Sequence, residues 1–227
     1  MQPRTHAFLI QAAVAGAGSA WLEQNLQHLL RGNDAEDDFV VAGLRLRAPG
    51  LTHSYRPGSR FGELGAPSAM TQLRRWLQRA TRARNAETAA FWLGRACHLL
   101  GDMAVPARTR GVWHLLGDPL ELFCEAHADR LAELLPSAIP LRVGPPEAQA
   151  EALAHAASVE SADTTRTPWG ALAFRLLSHG KRLTDAEVER QARRLLPLAV
   201  AHTRGLLLHC VSGFPARFDE RTARQLP

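Results

Sequence analysis

The sequence has few of the features that mark disulfide-stabilised or membrane-spanning proteins. Its 227 residues include only three cysteines, Cys97, Cys124 and Cys210, which are too few and too widely spaced for a disulfide framework. We expect buried free thiols. No apolar run approaches the roughly 20 residues that span a bilayer, so stable membrane insertion is not expected. The segment from Met1 to His6 does not resemble a secretion signal, so the chain as written is expected in the cytoplasm.

Lysine is almost absent as well, because Lys181 is the only one, and arginine therefore carries the net charge of +5. A solvated basic surface is the simpler interpretation, and a dedicated face for nucleic acid or anionic lipid is the alternative. One region is especially rich in arginine and could attract a phosphate-bearing substrate, at Arg31, Arg45, Arg47, Arg56 and Arg60.

Residues that favour strands are sparse, whereas alanine, leucine and arginine dominate, so the sequence predicts an all-α fold. The length fits a single domain over residues 1–227. Apolar spacing predicts the following helices: His6 to Ala15, Ser19 to Arg31, Ser68 to Arg84, Ala86 to Met103, Leu120 to Leu135, Ala148 to Val159, Trp169 to Ser178 and Ala186 to Val211.

Several residues are expected to bound these helices. Thr5 is predicted to cap the first helix, Gly32 to end the second, Pro106 to stop the central helix, and Pro197 to kink or divide the last. The segment from Val40 to Phe61 lacks a clear period, so we expect a long irregular connection.

The central helix carries two polar residues in an apolar setting. His98 and Asp102 are four residues apart, which places both side chains on one face, a single turn apart. Buried charge is costly unless it is paired or metal-bound. A histidine–aspartate hydrogen bond and a pair of metal ligands both satisfy this pattern.

Other polar residues fit simpler interpretations when each is taken singly, as surface groups, helix caps or partners of the helix dipole. These residues are His6, Asp37, His53, His114, Asp118, Glu121 and Glu125.

The run from His98 to Ala107 resembles the metal-binding helix of the zinc-dependent bacterial phospholipases C and the related single-strand nucleases. The shared pattern is a histidine, three residues, an aspartate and then a proline. The resemblance extends over about residues 5–125, the predicted metal-site part, and is followed by compatible C-terminal helices at about 147–212. It implies an all-α, single-domain multi-helix bundle of the zinc-dependent phospholipase C type.

The resemblance also implies a site holding one to three zinc ions. Asp37, His53, His98 and Asp102 match the best-preserved part of that site, and Asp37 is also expected to orient or deprotonate the attacking water. Further metal ligands are expected among His6, His114, Glu121 and Glu125.

Arg108 departs from the family pattern, which has a histidine six residues after the aspartate. A guanidinium has no lone pair to give a metal. Arg108 is therefore expected to pair with Glu121 or Asp118, or to bind a substrate phosphate.

The function that the resemblance implies is a zinc-dependent phosphodiester hydrolase acting on a phospholipid or a nucleic acid. Two alternatives remain open. One is a helical homologue that has lost catalysis and keeps a structural metal and a basic binding surface, for which Arg108 is the main support. The other is a helical domain whose polar cluster is a hydrogen-bonded network without metal.

Overall fold

The structure is a computed structural model that describes residues 3–41, 44–47, 53–58, 67–110, 118–163, 182–212 and 214. The all-α prediction is confirmed, because helices account for most of this part of the chain. The helices are α1 (Pro3–Ala15), α2 (Ala20–Gln24), α3 (Leu26–Asp34), α4 (Ala69–Arg82), α5 (Ala86–Asp102), α6 (Pro106–Arg110), α7 (Pro119–Ala126), a 3-10 helix (Ala128–Leu134), α8 (Pro146–Ser158) and α9 (Asp185–Val211). The predicted helix from Trp169 to Ser178 lies outside the described residues.

The central helix of the packing is α5, as its apolar sequence predicted. It contacts α3 and α4 along most of their lengths and also contacts α1 and α9. Its side chains include fully buried Leu93, Leu99 and Leu100. Burying a leucine side chain contributes about 2 kcal/mol, so this helix anchors the core around which the polar residues are placed.

The prediction of the second helix is wrong in two respects, because the helix is interrupted and Gly32 does not end it. The helix breaks at Asn25 into α2 and α3, and α3 continues through Gly32 to Asp34. A Cβ atom on Gly32 would lie 1.9 Å from the Phe91 carbonyl oxygen, and one on Gly94 would lie 1.9 Å from that of Leu29. The two glycines therefore allow the backbones of α3 and α5 to approach closely.

A two-stranded antiparallel hairpin occupies the start of the segment that was expected to be irregular. Its strands are β1 (Asp38–Val41) and β2 (Leu44–Arg47), and Asp38 pairs with Arg47 while Val41 pairs with Leu44. The hairpin follows directly after Asp37, so it bounds the acidic loop that carries this candidate ligand.

The central helix ends before Pro106, as predicted, and of the kink or division predicted at Pro197 the division is not observed. α5 ends at Asp102, before Pro106, and Pro106 is the first residue of α6. That position suits proline because the first backbone N–H groups of a helix have no partner within it. α9 continues through Pro197 as one helix of 27 residues rather than dividing there.

The cysteines are free, with Cys97 and Cys124 buried and Cys210 half-buried. Burial raises the pKa of the Cys124 and Cys210 thiols to about 12, so both are neutral at physiological pH. No helix in the described part of the chain is long and apolar enough to cross a membrane.

Candidate metal centre

Five histidine and aspartate side chains from separate parts of the chain meet beside α5. They are His6 from α1, Asp37 from the loop after α3, His53 from the segment before α4, and His98 and Asp102 from α5. Asp37 and His53 were predicted to reach the face of α5 that bears His98 and Asp102, and this convergence is confirmed. All four residues other than Asp37 are fully buried.

Asp102 is the common neighbour of the three histidines. Its Oδ1 lies 3.3 Å from His6 Nε2, and its Oδ2 lies 2.7 Å from His53 Nδ1 and 3.6 Å from His98 Nε2. Asp37 Oδ1 closes the other side, at 3.4 Å from His98 Nε2 and 3.9 Å from His53 Nδ1. Both carboxylates therefore face the ring nitrogens of His53 and His98, and Asp102 also faces His6.

Backbone contacts hold His53 in this position, although it comes from irregular structure. The Ser54 carbonyl accepts a hydrogen bond from the N–H of Ala69, which is the first residue of α4. The Tyr55 N–H donates to the Arg108 carbonyl at 3.3 Å. These two bonds fix the segment between the start of α4 and α6, so His53 is positioned from both sides.

The orientation of the His98 ring follows from a backbone contact. His98 Nδ1 lies 3.0 Å from the Asn33 carbonyl oxygen, which can only accept a hydrogen bond. A neutral ring therefore carries its proton on Nδ1 and presents a lone pair at Nε2. That lone pair faces oxygen atoms of Asp37 and Asp102, an arrangement that a cation or a proton between them would stabilise.

The residues present fit a zinc site. Within the described residues, three buried ring nitrogens make no hydrogen bond of acceptable geometry: His6 Nε2, His53 Nδ1 and His98 Nε2. Atoms that share a tetrahedral zinc at about 2.1 Å stand about 3.4 Å apart, and most of the nitrogen–oxygen separations here are close to that value. Two overlapping groups of three have their ligand atoms within 4.8 Å of one another, one made of His6, His98 and Asp102 and the other of Asp37, His53 and His98.

The electrostatics of the centre favour the forms that bind cations. Burial and the neighbouring His98 lower the pKa of His6 to about 3, so His6 is neutral near pH 7 and has a lone pair available. Burial opposes ionisation of Asp102, but the Arg108 guanidinium and His98 outweigh it and hold the pKa of that carboxyl well below its usual range. Burial opposes ionisation of Asp37 as well, but the neighbouring His98 ring outweighs it, so the pKa of this carboxyl is also lowered.

Arg108 pairs with Glu121, one of the two partners expected from the sequence. Its Nε donates to Glu121 Oε1 at 2.9 Å and lies 3.4 Å from Asp102 Oδ1. These two carboxylates outweigh burial and raise the pKa of Arg108, while Arg108 lowers that of Glu121 against its burial. The other expected partner, Asp118, instead caps α7 by accepting from the Leu120 N–H.

The remaining predicted ligands are not brought into the two groups of three among the described residues. Glu121 serves Arg108 and the capping box of α7. Glu125 accepts a hydrogen bond from the Thr5 hydroxyl at 3.4 Å. The prediction that Thr5 caps the first helix is wrong. α1 begins at Pro3, so Thr5 lies inside the helix, where it is buried. His114 lies outside the described residues.

Three residues that support the centre were not found from the sequence. The Asn33 carbonyl orients His98, and a backbone oxygen has no sequence signal. Gly101 makes room for His6, since a Cβ atom there would lie 2.8 Å from His6 Nδ1. The His6 ring can then stack on His98 at 3.8 Å between centroids. Glu36 accepts a hydrogen bond from Trp76 Nε1 at 3.1 Å and pairs with Arg95. Its position next to Asp37 in the sequence could have identified it.

The arrangement of helices is similar to that of two solved clostridial toxins. The alpha-toxin of Clostridium perfringens from avian strain SWCP matches with a TM-score of 0.60 at 19% identity, over 92% of this chain and 64% of the toxin chain. The alpha-toxin of Clostridium absonum matches with a TM-score of 0.64 at 16% identity, over 93% and 64% of the two chains. The chain has the alpha-toxin fold. This alpha-toxin fold is the fold that the sequence resemblance implied.

The chain spans 64% of the length of each of these alpha-toxin chains. No protein-family model and no curated protein sequence matches it. The similarity therefore concerns the fold, and the chemistry must be inferred from the residues of the centre.

Proposed function

We propose that this protein is a zinc-dependent phosphodiester hydrolase of the phospholipase C type. The observation that carries the proposal is the meeting of His6, Asp37, His53, His98 and Asp102 in one cluster, in which one ring nitrogen of each histidine is buried and makes no hydrogen bond of acceptable geometry. Three histidines and two carboxylates are a donor set that suits zinc. The fold and the His98 to Ala107 pattern point to the same class of chemistry.

His6, His53, His98 and Asp102 would hold the metal, with Asp37 on the more open side. Zinc ions bound there would activate water near neutral pH and stabilise negative charge on phosphoryl oxygens. Both oxygens of Asp102 would be available to the metal, because its Oδ1 faces His6 and its Oδ2 faces His53 and His98. The Asn33 carbonyl would keep the His98 ring in the tautomer that binds.

Asp37 is suited to orient the attacking water. It is the most exposed of the five residues, with 19% of its side chain accessible, so substrate and water can reach it. Its lowered pKa keeps it ionised, and an ionised carboxylate only accepts hydrogen bonds. A water molecule beside Asp37 would therefore be held with a hydrogen toward the carboxylate and a lone pair toward the substrate.

Arg108 is suited to bind the phosphate of the substrate. Its Nε atom is committed to Glu121 and Asp102, yet 17% of the side chain is exposed. Within the described residues its terminal nitrogens have no other recorded partner, so they can donate to phosphate oxygens in parallel. The two buried carboxylates hold the guanidinium in place for this role.

A phospholipid is the substrate that we favour, because the fold is that of the alpha-toxins and of the phospholipase C type. A nucleic-acid phosphodiester has the same reacting group and is the alternative that the resemblance leaves open. The leaving oxygen distinguishes them, since one belongs to a diacylglycerol and the other to a sugar.

The second candidate function is a homologue without catalysis that keeps a structural metal and binds a partner. The pairing of Arg108 with Asp102 and Glu121 favours it, because a fixed positive charge there opposes a further cation nearby. Metal binding alone does not distinguish the two candidates, but turnover does.

The experiment is hydrolysis of a chromogenic phosphorylcholine ester, a phospholipid in micelles and single-stranded DNA in added zinc. The parent is compared with Asp37→Asn and with Asp34→Asn, a matched change at an exposed acidic residue nearby. We expect phosphorylcholine ester and phospholipid turnover that Asp37→Asn lowers by roughly 100-fold or more and Asp34→Asn leaves unchanged. A zinc-loaded parent that hydrolyses none of the substrates would favour the second candidate, and hydrolysis of DNA alone would reassign the substrate.

A further inference from the structure

Helix α4 presents a stripe of arginines on its outer face. Arg75, Arg79 and Arg82 are spaced four and three residues apart, which places them on one side of the helix. Arg75 and Arg82 are exposed and Arg79 is half-exposed. Within the described residues, no carboxylate lies within ion-pair distance of these three, whereas Arg130, Arg193 and Arg194 elsewhere on the surface each pair with a glutamate. The positive charge of the stripe is therefore not neutralised by the described residues.

Aromatic rings hold part of this stripe in a fixed arrangement. Trp76 stacks on Trp92 of α5 at 5.2 Å between centroids. The Arg79 guanidinium lies over both rings, at 4.9 Å and 4.7 Å, and the Arg95 guanidinium lies 4.2 Å from the Trp76 centroid. Such cation–π contacts restrict a flexible arginine side chain. The Arg79 guanidinium at the middle of the stripe is therefore held in place by the two rings.

We infer that the arginine face of α4, formed by Arg75, Arg79 and Arg82 beside Trp92, docks the protein on an anionic phospholipid surface. The positive charge of this face complements the phosphates of such a surface. One guanidinium group can donate two parallel hydrogen bonds to two oxygens of a phosphate. From Arg75 to Arg82 the stripe runs for about two turns, about 10 Å along the helix axis, so it presents its charges along a line that a flat layer of headgroups can contact at once.

The aromatic geometry favours a lipid surface over single-stranded nucleic acid. Proteins that bind single strands stack the bases on open aromatic faces. Here Trp76 and Trp92 stack on each other and arginine guanidiniums cover the pair, so a base would have to displace these contacts. Binding of lipid phosphates by the charged guanidinium groups leaves the stacked rings in place.

The arginine face adjoins the candidate metal centre. Arg95 precedes His98 by about one turn of α5, and Glu36, which pairs with Arg95, is next to Asp37 in the chain. α4 also begins beside the His53 segment, through the bond from the Ala69 N–H to the Ser54 carbonyl. Docking by this face would bring the centre close to the lipid surface. The inference goes beyond the proposed function, because docking requires neither metal nor turnover.

The test is co-sedimentation with vesicles of phosphatidylcholine alone and of phosphatidylcholine mixed with phosphatidylglycerol, with a chelator present throughout. We expect the parent to bind only the mixed vesicles. The triple change Arg75→Gln, Arg79→Gln and Arg82→Gln should weaken binding by roughly 100-fold, since each basic residue near an anionic bilayer contributes about fivefold. The same three changes to lysine should keep most of the binding, because lysine preserves the charge.

The control is Arg130→Gln, Arg193→Gln and Arg194→Gln, which alters the net charge equally at three paired arginines. It should leave binding within a few-fold of the parent. No binding of the parent to mixed vesicles, an equal loss in the control, or retained binding in the folded glutamine variant would each overturn the inference. Because no metal is present, these outcomes are independent of whether the protein hydrolyses phosphodiesters.

Discussion

The Nε atom of Arg108 lies 3.4 Å from Oδ1 of Asp102, the same oxygen that faces His6 Nε2 at 3.3 Å. One carboxylate thus serves both a fixed side-chain cation and a histidine of the candidate metal centre. Arg108 also engages Glu121 at 2.9 Å. An arginine that pairs with two buried carboxylates in this way neutralises negative charge that would otherwise be available to bind another metal ion.

The first prediction is that Arg108→His raises metal occupancy. Histidine removes the fixed charge and supplies a nitrogen lone pair next to Asp102 and Glu121. Zinc content per chain, measured beside the parent in equal zinc, should increase, whereas turnover per bound zinc should fall because the proposed phosphate contact of Arg108 is lost. Arg110→His, an exposed position in the same short helix, is the matched control and should change neither. An unchanged zinc content would show that the charge of Arg108 does not limit the number of bound ions.

The second prediction is that His98→Ala and Asp102→Ala each abolish tight zinc binding and lower stability. Each change removes a shared neighbour of the cluster and leaves other buried polar groups without compensation. For Asp102→Ala, which removes one of the two carboxylates that pair with Arg108, we expect a loss on the order of 3 kcal/mol in the free energy of unfolding. Zinc titration and urea unfolding are the measurements, with exposed His155→Ala as the control. Variants that bind zinc and unfold like the parent would exclude a metal centre at α5.

The third prediction concerns acid stability of the metal-free protein. The pKa of His6 falls from 6.5 in the unfolded chain to about 3 in the fold, so between these values only the unfolded chain takes up the proton. Stability should therefore be unaffected above pH 6.5 and fall as the pH drops below it. His202, whose pKa burial lowers to about 4, acts in the same direction.

Urea unfolding between about pH 7 and pH 5 separates the contribution of these histidines from that of Asp102 and Glu121, whose carboxyl groups ordinarily titrate below pH 5. His6 alone should account for about 2 kcal/mol of the loss over this interval. His6→Asn should remove that share of the pH dependence, whereas exposed His155→Asn should not. An identical pH slope in parent and His6→Asn would show that His6 is not held neutral in the fold.

The fourth prediction addresses the packing that positions the centre. Gly32→Ala would place a methyl group 1.9 Å from the Phe91 carbonyl, so α3 and α5 must separate. We expect a loss of about 3 kcal/mol in the free energy of unfolding, together with weaker zinc binding because the Asn33 carbonyl moves away from His98. Gly58→Ala, where no atom lies near the added carbon but φ is 78°, should cost only about 1 kcal/mol. Equal effects of the two changes would contradict the close approach.

The sequence predicted the helices and the principal members of the centre because both depend on spacing within short segments. His98 and Asp102 follow from helical period, and His6, Asp37 and His53 from their order along a resembling pattern. The hairpin at Asp38–Val41 and Leu44–Arg47 was missed, since two strands of four residues lack a distinctive period among glycines and prolines.

Contacts made only in three dimensions could not be predicted from local patterns. Gly32 has the local character of a helix terminator, and only the approach of α5 explains it as a packing residue. The pairing of Arg108 with Asp102 depends on α6 turning back against α5, which no spacing specifies. The Asn33 contact to His98 involves a backbone oxygen, which every residue possesses.

The most direct test of the account is calorimetric titration of zinc into the metal-free parent protein, which gives the number of ions and their affinity. The converging histidines and carboxylates predict at least one tightly bound zinc per chain, and the Arg108 charge predicts fewer than three. Absence of saturable zinc binding would contradict the metal centre and, with it, the proposed hydrolase.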